Sequence, residues 1–252
     1  MTKKFIAIGD IHGVYKELQK LLDKLEVSDK DEVWAVGDAF DRAGPTCAMK
    51  VYEIFQKYNI NYIWGNHDGE LAFKIKSNIP VMKPWYSDWW NNFNTEAKDW
   101  FLKSEKYYHY DQEKKILLTH AGVYPYRHWT QTDPRVLCTI QCMTPWNEKN
   151  EFDKLRMDYS NIANYWPKWL DDEKSMYNDI NIVFGHTRHD LPHDRIYDIP
   201  SRNIKCYATD WGAVRGLDLA AFVWEDGVCR FESVKAEKDY YYESYKKKKN
   251  NS

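Results

Sequence analysis

The stretch FIAIGDIHGVYKEL, residues 5–18, decides how this chain is read. The apolar run Phe5 to Ile8 predicts a short buried strand over residues 4–8. It stops at Gly9-Asp10-Ile11-His12-Gly13, and Val14, Leu18, Leu21, Leu22 and Leu25 then fall at helical spacing. A carboxylate and an imidazole two residues apart at one strand end mean little. The chain, however, repeats the device.

After VWAV (33–36) come Gly37-Asp38-Ala39-Phe40-Asp41-Arg42, and after YIW (62–64) come Gly65-Asn66-His67-Asp68. After ILLT (116–119) come His120-Ala121-Gly122, and after INIVF (180–184) come Gly185-His186-Thr187. The segment CAMKVYEIFQKY (47–58) predicts a helix between the second and third strands. This strand–helix rhythm implies an α/β chain with parallel pairing and, read alone, a single open sheet. In such a sheet the C-terminal strand ends gather on one edge, where ligands bind. Asp10, His12, Asp38, Asp41, Asn66, His67, His120 and His186 are then expected in one place. Oxygen and imidazole donors without thiolate suit Mn, Fe or Zn. Eight side chains exceed the needs of one ion, whereas two ions about 3.5–4 Å apart that share a carboxylate would use them.

The remaining sequence is less informative. Residues 70–112 are polar and aromatic and are expected to be mostly helical. Residues 123–180 are rich in Trp, Pro and Asp and are expected to form an irregular insertion or cap. LDLAAFVWEDG (217–227) and VCRFESV (228–234), joined at Glu225-Asp226-Gly227, predict a hairpin. No repeat or linker divides the chain, so one domain is expected over 1–252, with insertions at about 70–112 and 123–180. The aromatic runs in 83–101 and 161–170 are expected to pack an inserted region on the main core.

Hydrophobic residues make up 43% of the 252 residues, enough for a sizeable core. A net charge of −2 excludes a general field for nucleic acid, and the YKKKKNNS tail (245–252) reads as a solvated end. No run of about 18 apolar residues is present, so no membrane span is expected. The start MTKKFIAIGD lacks a signal-peptide pattern, and five cysteines without Cys-x-x-Cys suggest reduced thiols and a cytoplasmic location. Cys138 and Cys142, four apart, read as small buried residues rather than a metal pair.

The five motifs, in this order, resemble the metallophosphoesterases of the phosphoprotein-phosphatase (calcineurin-like) family. Their pattern is Gly-Asp-x-His-Gly, Gly-Asp-x-x-Asp-Arg-Gly, Gly-Asn-His-Glu/Asp, His-Ala/Gly-Gly and Gly-His. The resemblance runs from residue 5 to about 230 and is nearest the small bacterial and phage serine/threonine phosphatase branch, which also includes diadenosine-tetraphosphate hydrolases. It implies a β-sandwich of two mixed sheets flanked by helices, with an aromatic-rich helical insertion. It also implies two divalent ions, Mn foremost with Fe or Zn as alternatives. Asp10, His12 and Asp38 would hold the first ion; Asp38 would bridge to the second, which Asn66, His120 and His186 complete. His67, oriented by Asp41, would protonate the leaving group, and Arg42 would grip phosphate oxygens. The implied reaction is in-line attack on a phosphate monoester by a metal-bridging hydroxide.

The form of the first motif favours protein Ser/Thr or Tyr phosphate as substrate, because the diadenosine-tetraphosphate branch often carries Gln in place of this His. Dinucleoside polyphosphates, or nucleic-acid ends, are the alternative substrates, and a non-catalytic metal-bound module is a third reading. Departures from the pattern are Ala43 for Gly, Asp68 for the commoner Glu (a shorter carboxylate, expected still to reach Arg42) and Glu148 where relatives often carry a second phosphate-binding Arg. Glu148 is therefore expected to face outward. Arg127, Arg135, Lys149, Arg156 or Arg188 is expected to supply the clamp, with Arg156 favoured.

Overall fold

The computed structural model describes residues 3–81, 84–141, 165–189 and 191–241. Strand β1 (Phe5–Ile8) is buried on both faces, and its alternation explains why. Phe5 and Ala7 point into a layer shared with Trp34, Leu118, Val183 and Phe222. Ile6 and Ile8 point the other way, into a cluster with Leu18, Leu21, Val51 and Phe55. The strand therefore sits between a second sheet and a layer of helices.

Strands β2 (Glu32–Ala35) and β3 (Asn61–Tyr62) follow β1 in parallel, as the strand–helix rhythm predicts. The crossovers are helices α1 (Tyr15–Lys24) and α2 (Cys47–Lys57). The single open sheet is not found. The other side of β1 is taken by the antiparallel strand β9 (Asp218–Glu225), which pairs with β10 (Val228–Lys235). A separate sheet contains β5 (Ile116–Thr119), β6 (Ile180–Phe184) and β8 (Ile204–Ala208) in parallel. Its edges are the antiparallel strands β4 (Tyr108–Asp111) and β7 (Ile196–Ile199). The orders are β10-β9-β1-β2-β3 and β4-β5-β6-β8-β7. The result is the two-sheet sandwich flanked by helices.

The β9–β10 hairpin turns at Asp226 (φ 51°) and Gly227 (φ 82°), with Glu225 opposite Val228. Two left-handed residues in a two-residue loop match the strand twist. Helices α3 (Asn66–Lys76), α4 (Pro84–Asn92) and α5 (Thr95–Lys103) fill most of the segment expected to be helical. Its end instead forms β4, an edge strand defined by pairing with β5 rather than by local pattern. The aromatic run in that segment packs as expected. Phe40 lies 5.4 Å from Trp89, 5.3 Å from Phe93 and 5.6 Å from Phe55, ring centre to ring centre. Within 123–180, the described parts include α6 (Pro134–Thr139) and a 3-10 turn at Trp166–Asp171. Cys138 is buried, while Cys142 lies outside the described residues.

Candidate active site

The loops after β1, β2, β3, β5 and β6 meet where the two sheets adjoin. Backbone and side-chain bonds stitch them together. The His12 amide donates to Asp38 O (2.8 Å), the Gly185 amide to His120 O (2.7 Å) and the His186 amide to Asp10 Oδ1 (2.9 Å). His12, Asp38, Arg42 and His186 all have positive φ, at 46°, 50°, 75° and 65°. That conformation costs an L-residue roughly 1–2 kcal/mol, and strain of this kind clusters at functional sites. Two glycines are required by close approach: a Cβ at Gly185 would stand 2.1 Å from Asp10 Oδ1, and one at Gly65 2.1 Å from Asp38 Oδ1.

His120 is fully buried. Its Nδ1–H donates to Val36 O (2.7 Å), so Nε2 carries a bare lone pair. That atom lies 3.1 Å from Asn66 Oδ1 and 3.6 Å from Asp38 Oδ2. Asn66 Oδ1 is also 3.1 Å from His186 Nδ1. Electron pairs thus converge with no proton between Nε2 and the oxygens, an arrangement that a cation resolves. One donor atom each from Asp10, Asp38 and His120 lie within 4.8 Å of one another, as do atoms of His12, Asp38 and His67. Asp38 is common to both groups. Buried oxygen and nitrogen donors without sulfur fit hard or borderline divalent ions. Burial and the carboxylates of Asp210 and Asp38 push Asp10 well above the usual carboxylate range. For Asp38, burial acts upward, but the imidazoles of His67, His120 and His12 outweigh it and hold the group at about 2.

Asp41 lies between two rings: Oδ1 is 2.5 Å from His12 Nδ1, and Oδ2 is 2.5 Å from His67 Nδ1. For His67, burial acts downward, yet Asp41 and Asp38 raise it to about 9. Arg42 Nη2 stands 2.8 Å from His67 Nε2. A guanidinium only donates, so this contact needs a bare Nε2. The ring holds either the Arg42 bond or an Nε2 proton, not both. Asp68 does not serve Arg42 as expected. Its Oδ2 accepts the amides of Asp38 and Gly65, both at 2.8 Å, and so caps α3 and fixes the Asp38 loop. The shorter carboxylate is spent on backbone.

Beside these residues opens a cleft of about 650 Å³, whose lining includes His12, Arg42, His186, Arg188, Tyr165 and Tyr197. Of the clamp candidates, Arg156 and Lys149 lie outside the described residues, as does Glu148, which was expected to face outward. Arg135 is exposed and bonds Asp133 through Nε and Nη2. The Arg127 carbonyl takes the Tyr177 hydroxyl (3.0 Å), and Arg188 lines the cleft. Three neighbours escaped the sequence reading. Gln141 Nε2 is 3.1 Å from His186 Nε2, the Tyr86 ring meets His67 edge-on at 5.5 Å, and Asp210 lines the cleft. Asp210 follows the end of β8, so the strand-end rule alone would have found it. Gln141 and Tyr86 carry no pattern.

A sulfur-free donor cluster of this kind, with an arginine and an oriented imidazole beside it, defines a class of hydrolases that use divalent metals to cleave phosphoric ester bonds. The chain belongs to the calcineurin-like phosphoesterase family, whose pattern matches residues 3–222. It is 30% identical to the symmetrical bis(5'-nucleosyl)-tetraphosphatase of Buchnera aphidicola subsp. Schizaphis graminum, over 75% of this chain and 68% of that one. It is 32% identical to the enzyme of the same name from Proteus mirabilis, over 87% and 93%. A crystal structure assigned as a candidate diadenosine tetraphosphatase shares the fold, with a TM-score of 0.71, 20% identity and coverage of 94% and 95%. These relatives carry the tetraphosphatase name rather than that of the serine/threonine phosphatases expected from the first motif. Among the described residues no helix is long and apolar enough to cross a membrane.

Proposed function

We propose that this protein hydrolyses bis(5'-nucleosyl) tetraphosphates at the central phosphoanhydride, releasing two nucleoside diphosphates. Asp10, His12 and Asp38 would hold one divalent ion, and Asp38, Asn66, His120 and His186 a second, with Mn the first choice. When bound, the ions supply positive charge to the phosphate oxygens and lower the pKa of water to about 7. Arg42 offers its forked donors to the phosphate under attack. An anion that draws Arg42 away leaves His67 Nε2 able to carry a proton to the leaving oxygen, while Asp41 keeps Nδ1–H in place.

The cleft carries this reading. It is lined by His12 and His186, by the cations Arg42 and Arg188, and by the rings of Tyr165 and Tyr197. A polyphosphate chain ending in nucleosides can use several cations and an aromatic face together, more than a single phosphate requires. The preference for protein phosphate rested on His12. That ring is bonded to Asp41 and lies 3.8 Å from Asp10, which supports a place for it on the metal side rather than at the leaving group.

The test compares bis(5'-adenosyl) tetraphosphate, a phosphoserine peptide and p-nitrophenyl phosphate with Mn present, products resolved by anion exchange. ADP as the sole nucleotide product is expected. ATP plus AMP would refute symmetrical cleavage, and faster turnover of the phosphopeptide would restore the protein-phosphatase reading.

A further inference from the structure

The second basic clamp expected in the segment after the fourth motif has a counterpart in the chain between β8 and β9. Arg215 follows the loop after β8 and lines the same cleft as Arg42. The Tyr241 ring lies against both guanidiniums, 5.7 Å from the Arg42 carbon and 4.7 Å from that of Arg215. Backbone bonds hold the segment that carries Tyr241. The Tyr241 amide donates to Val214 O (3.0 Å), and Arg215 forms a backbone bridge with Asp239. Behind them, Glu17 of α1 has no exposed surface. A buried carboxylate needs donors, and this one takes them from the same C-terminal segment: the Tyr240 hydroxyl (2.9 and 3.1 Å) and the Glu237 amide (2.9 Å).

We propose that Arg215 is the second phosphate clamp, that Tyr241 positions it with Arg42 through their shared ring, and that the two guanidiniums grip neighbouring phosphates of a polyphosphate chain. The inference deepens the tetraphosphatase reading and rests on it for the natural substrate alone. Its physical basis is independent. Two cations on one aromatic ring repel each other, and an anion long enough to touch both relieves that repulsion. A monoester reaches Arg42 only. Glu17 supplies the fixed base from which the segment presents Tyr241.

The test uses p-nitrophenyl phosphate as reporter substrate and inorganic tripolyphosphate as inhibitor, at constant free metal. Arg215→Ala should raise the tripolyphosphate inhibition constant about tenfold, the size of one charge-assisted phosphate contact. The reporter KM should move by about threefold or less. Tyr241→Phe keeps the ring and should keep tight inhibition, and Tyr241→Leu should weaken it as Arg215→Ala does. Combining Arg215→Ala with Tyr241→Leu should add little further loss. Circular-dichroism melting checks that each variant is folded. An unchanged inhibition constant in folded Arg215→Ala would make Arg215 a solvated surface group and overturn the clamp. Equal losses in Tyr241→Phe and Tyr241→Leu would overturn the role of the ring. If tripolyphosphate responds as expected while bis(5'-adenosyl) tetraphosphate is not cleaved, the clamp stands and the tetraphosphatase reading fails. Cleavage without that response gives the reverse.

Discussion

Asp41 Oδ2 stands 2.5 Å from His67 Nδ1. The other oxygen of the same carboxylate stands 2.5 Å from His12 Nδ1. One buried group therefore sets two imidazole tautomers, both turned so that Nε2 is the atom available for chemistry. On the proposed roles, one of those Nε2 atoms faces a metal and the other faces the leaving group.

Two substitutions should separate these duties. His67→Asn is expected to keep two metals and lose roughly 10²–10⁴-fold in kcat on alkyl phosphates, the usual size of a general-acid effect. The loss should shrink on p-nitrophenyl phosphate, whose leaving group needs little protonation. Asp41→Asn is expected to show the same rate loss and, through His12, a roughly 10–100-fold weaker metal affinity. Kinetics beside metal titration of each variant check this. Equal His67→Asn losses on both substrate types would remove the general-acid role.

Asp38 belongs to both donor groups, so Asp38→Asn is expected to weaken both metal sites together. Asp10→Asn is expected to weaken chiefly one. Mass-spectrometric metal analysis after Mn reconstitution reads the difference. A wild-type protein that takes up a single ion would end the two-metal reading.

The five strand ends were legible because each signal is local: an apolar run, a glycine, then a ligand-type side chain. The glycines mark places such as Gly185, where a carboxylate lies against the backbone. Sheet membership was not legible from rhythm, because pairing is non-local. β1 takes its antiparallel partner from residues 218–225, and no feature of FIAI announces it. β4 and β7 were missed because edge strands with half-exposed residues lack a continuous apolar run. The first motif was over-read for substrate, since the relatives carry the tetraphosphatase name although His12 is present. Arg215 and Tyr241 could not be found by motif at all. Arg215 lines the cleft and Tyr241 packs on it from a segment that Glu17, a buried helix residue, bonds 220 residues further along the chain.

Phe40, between Asp38 and Asp41, is 1% exposed and meets Tyr62, Phe55, Trp89 and Phe93 at 5.3–5.6 Å between ring centres. Phe40→Ala would leave a cavity under the second motif and is expected to destabilise by about 3–5 kcal/mol. Phe40→Leu should cost less. Urea unfolding of the metal-free protein measures both. A Phe40→Ala loss under about 1 kcal/mol would mean that the aromatic cluster closes over the gap.

The last prediction concerns acid stability, at a site remote from the metals. Glu32 on β2 receives the Trp34 indole N–H (3.0 Å) and lies 3.5 Å from His109 Nε2. The His109 ring stacks on Trp34 at 4.0 Å, which holds both rings beside the carboxylate. The neighbouring His109 imidazole comes first among the causes that lower the Glu32 pKa from 4.5 to about 2, with burial opposing it and the Trp34 N–H helping. The folded-state value is depressed, so the ionised group stabilises the fold above its unfolded pKa. That contribution is lost as pH falls from about 4.5 toward 2. The side chain is 22% exposed and open to solvent screening, so about 1 kcal/mol is expected, well below the full value of the shift. Wild type should therefore lose stability faster than Glu32→Gln between pH 5 and pH 3, because the amide has no proton to gain. Urea unfolding midpoints across that range test it. Parallel curves for the two proteins would show that His109 and Trp34 stabilise the Glu32 carboxylate no more than water does.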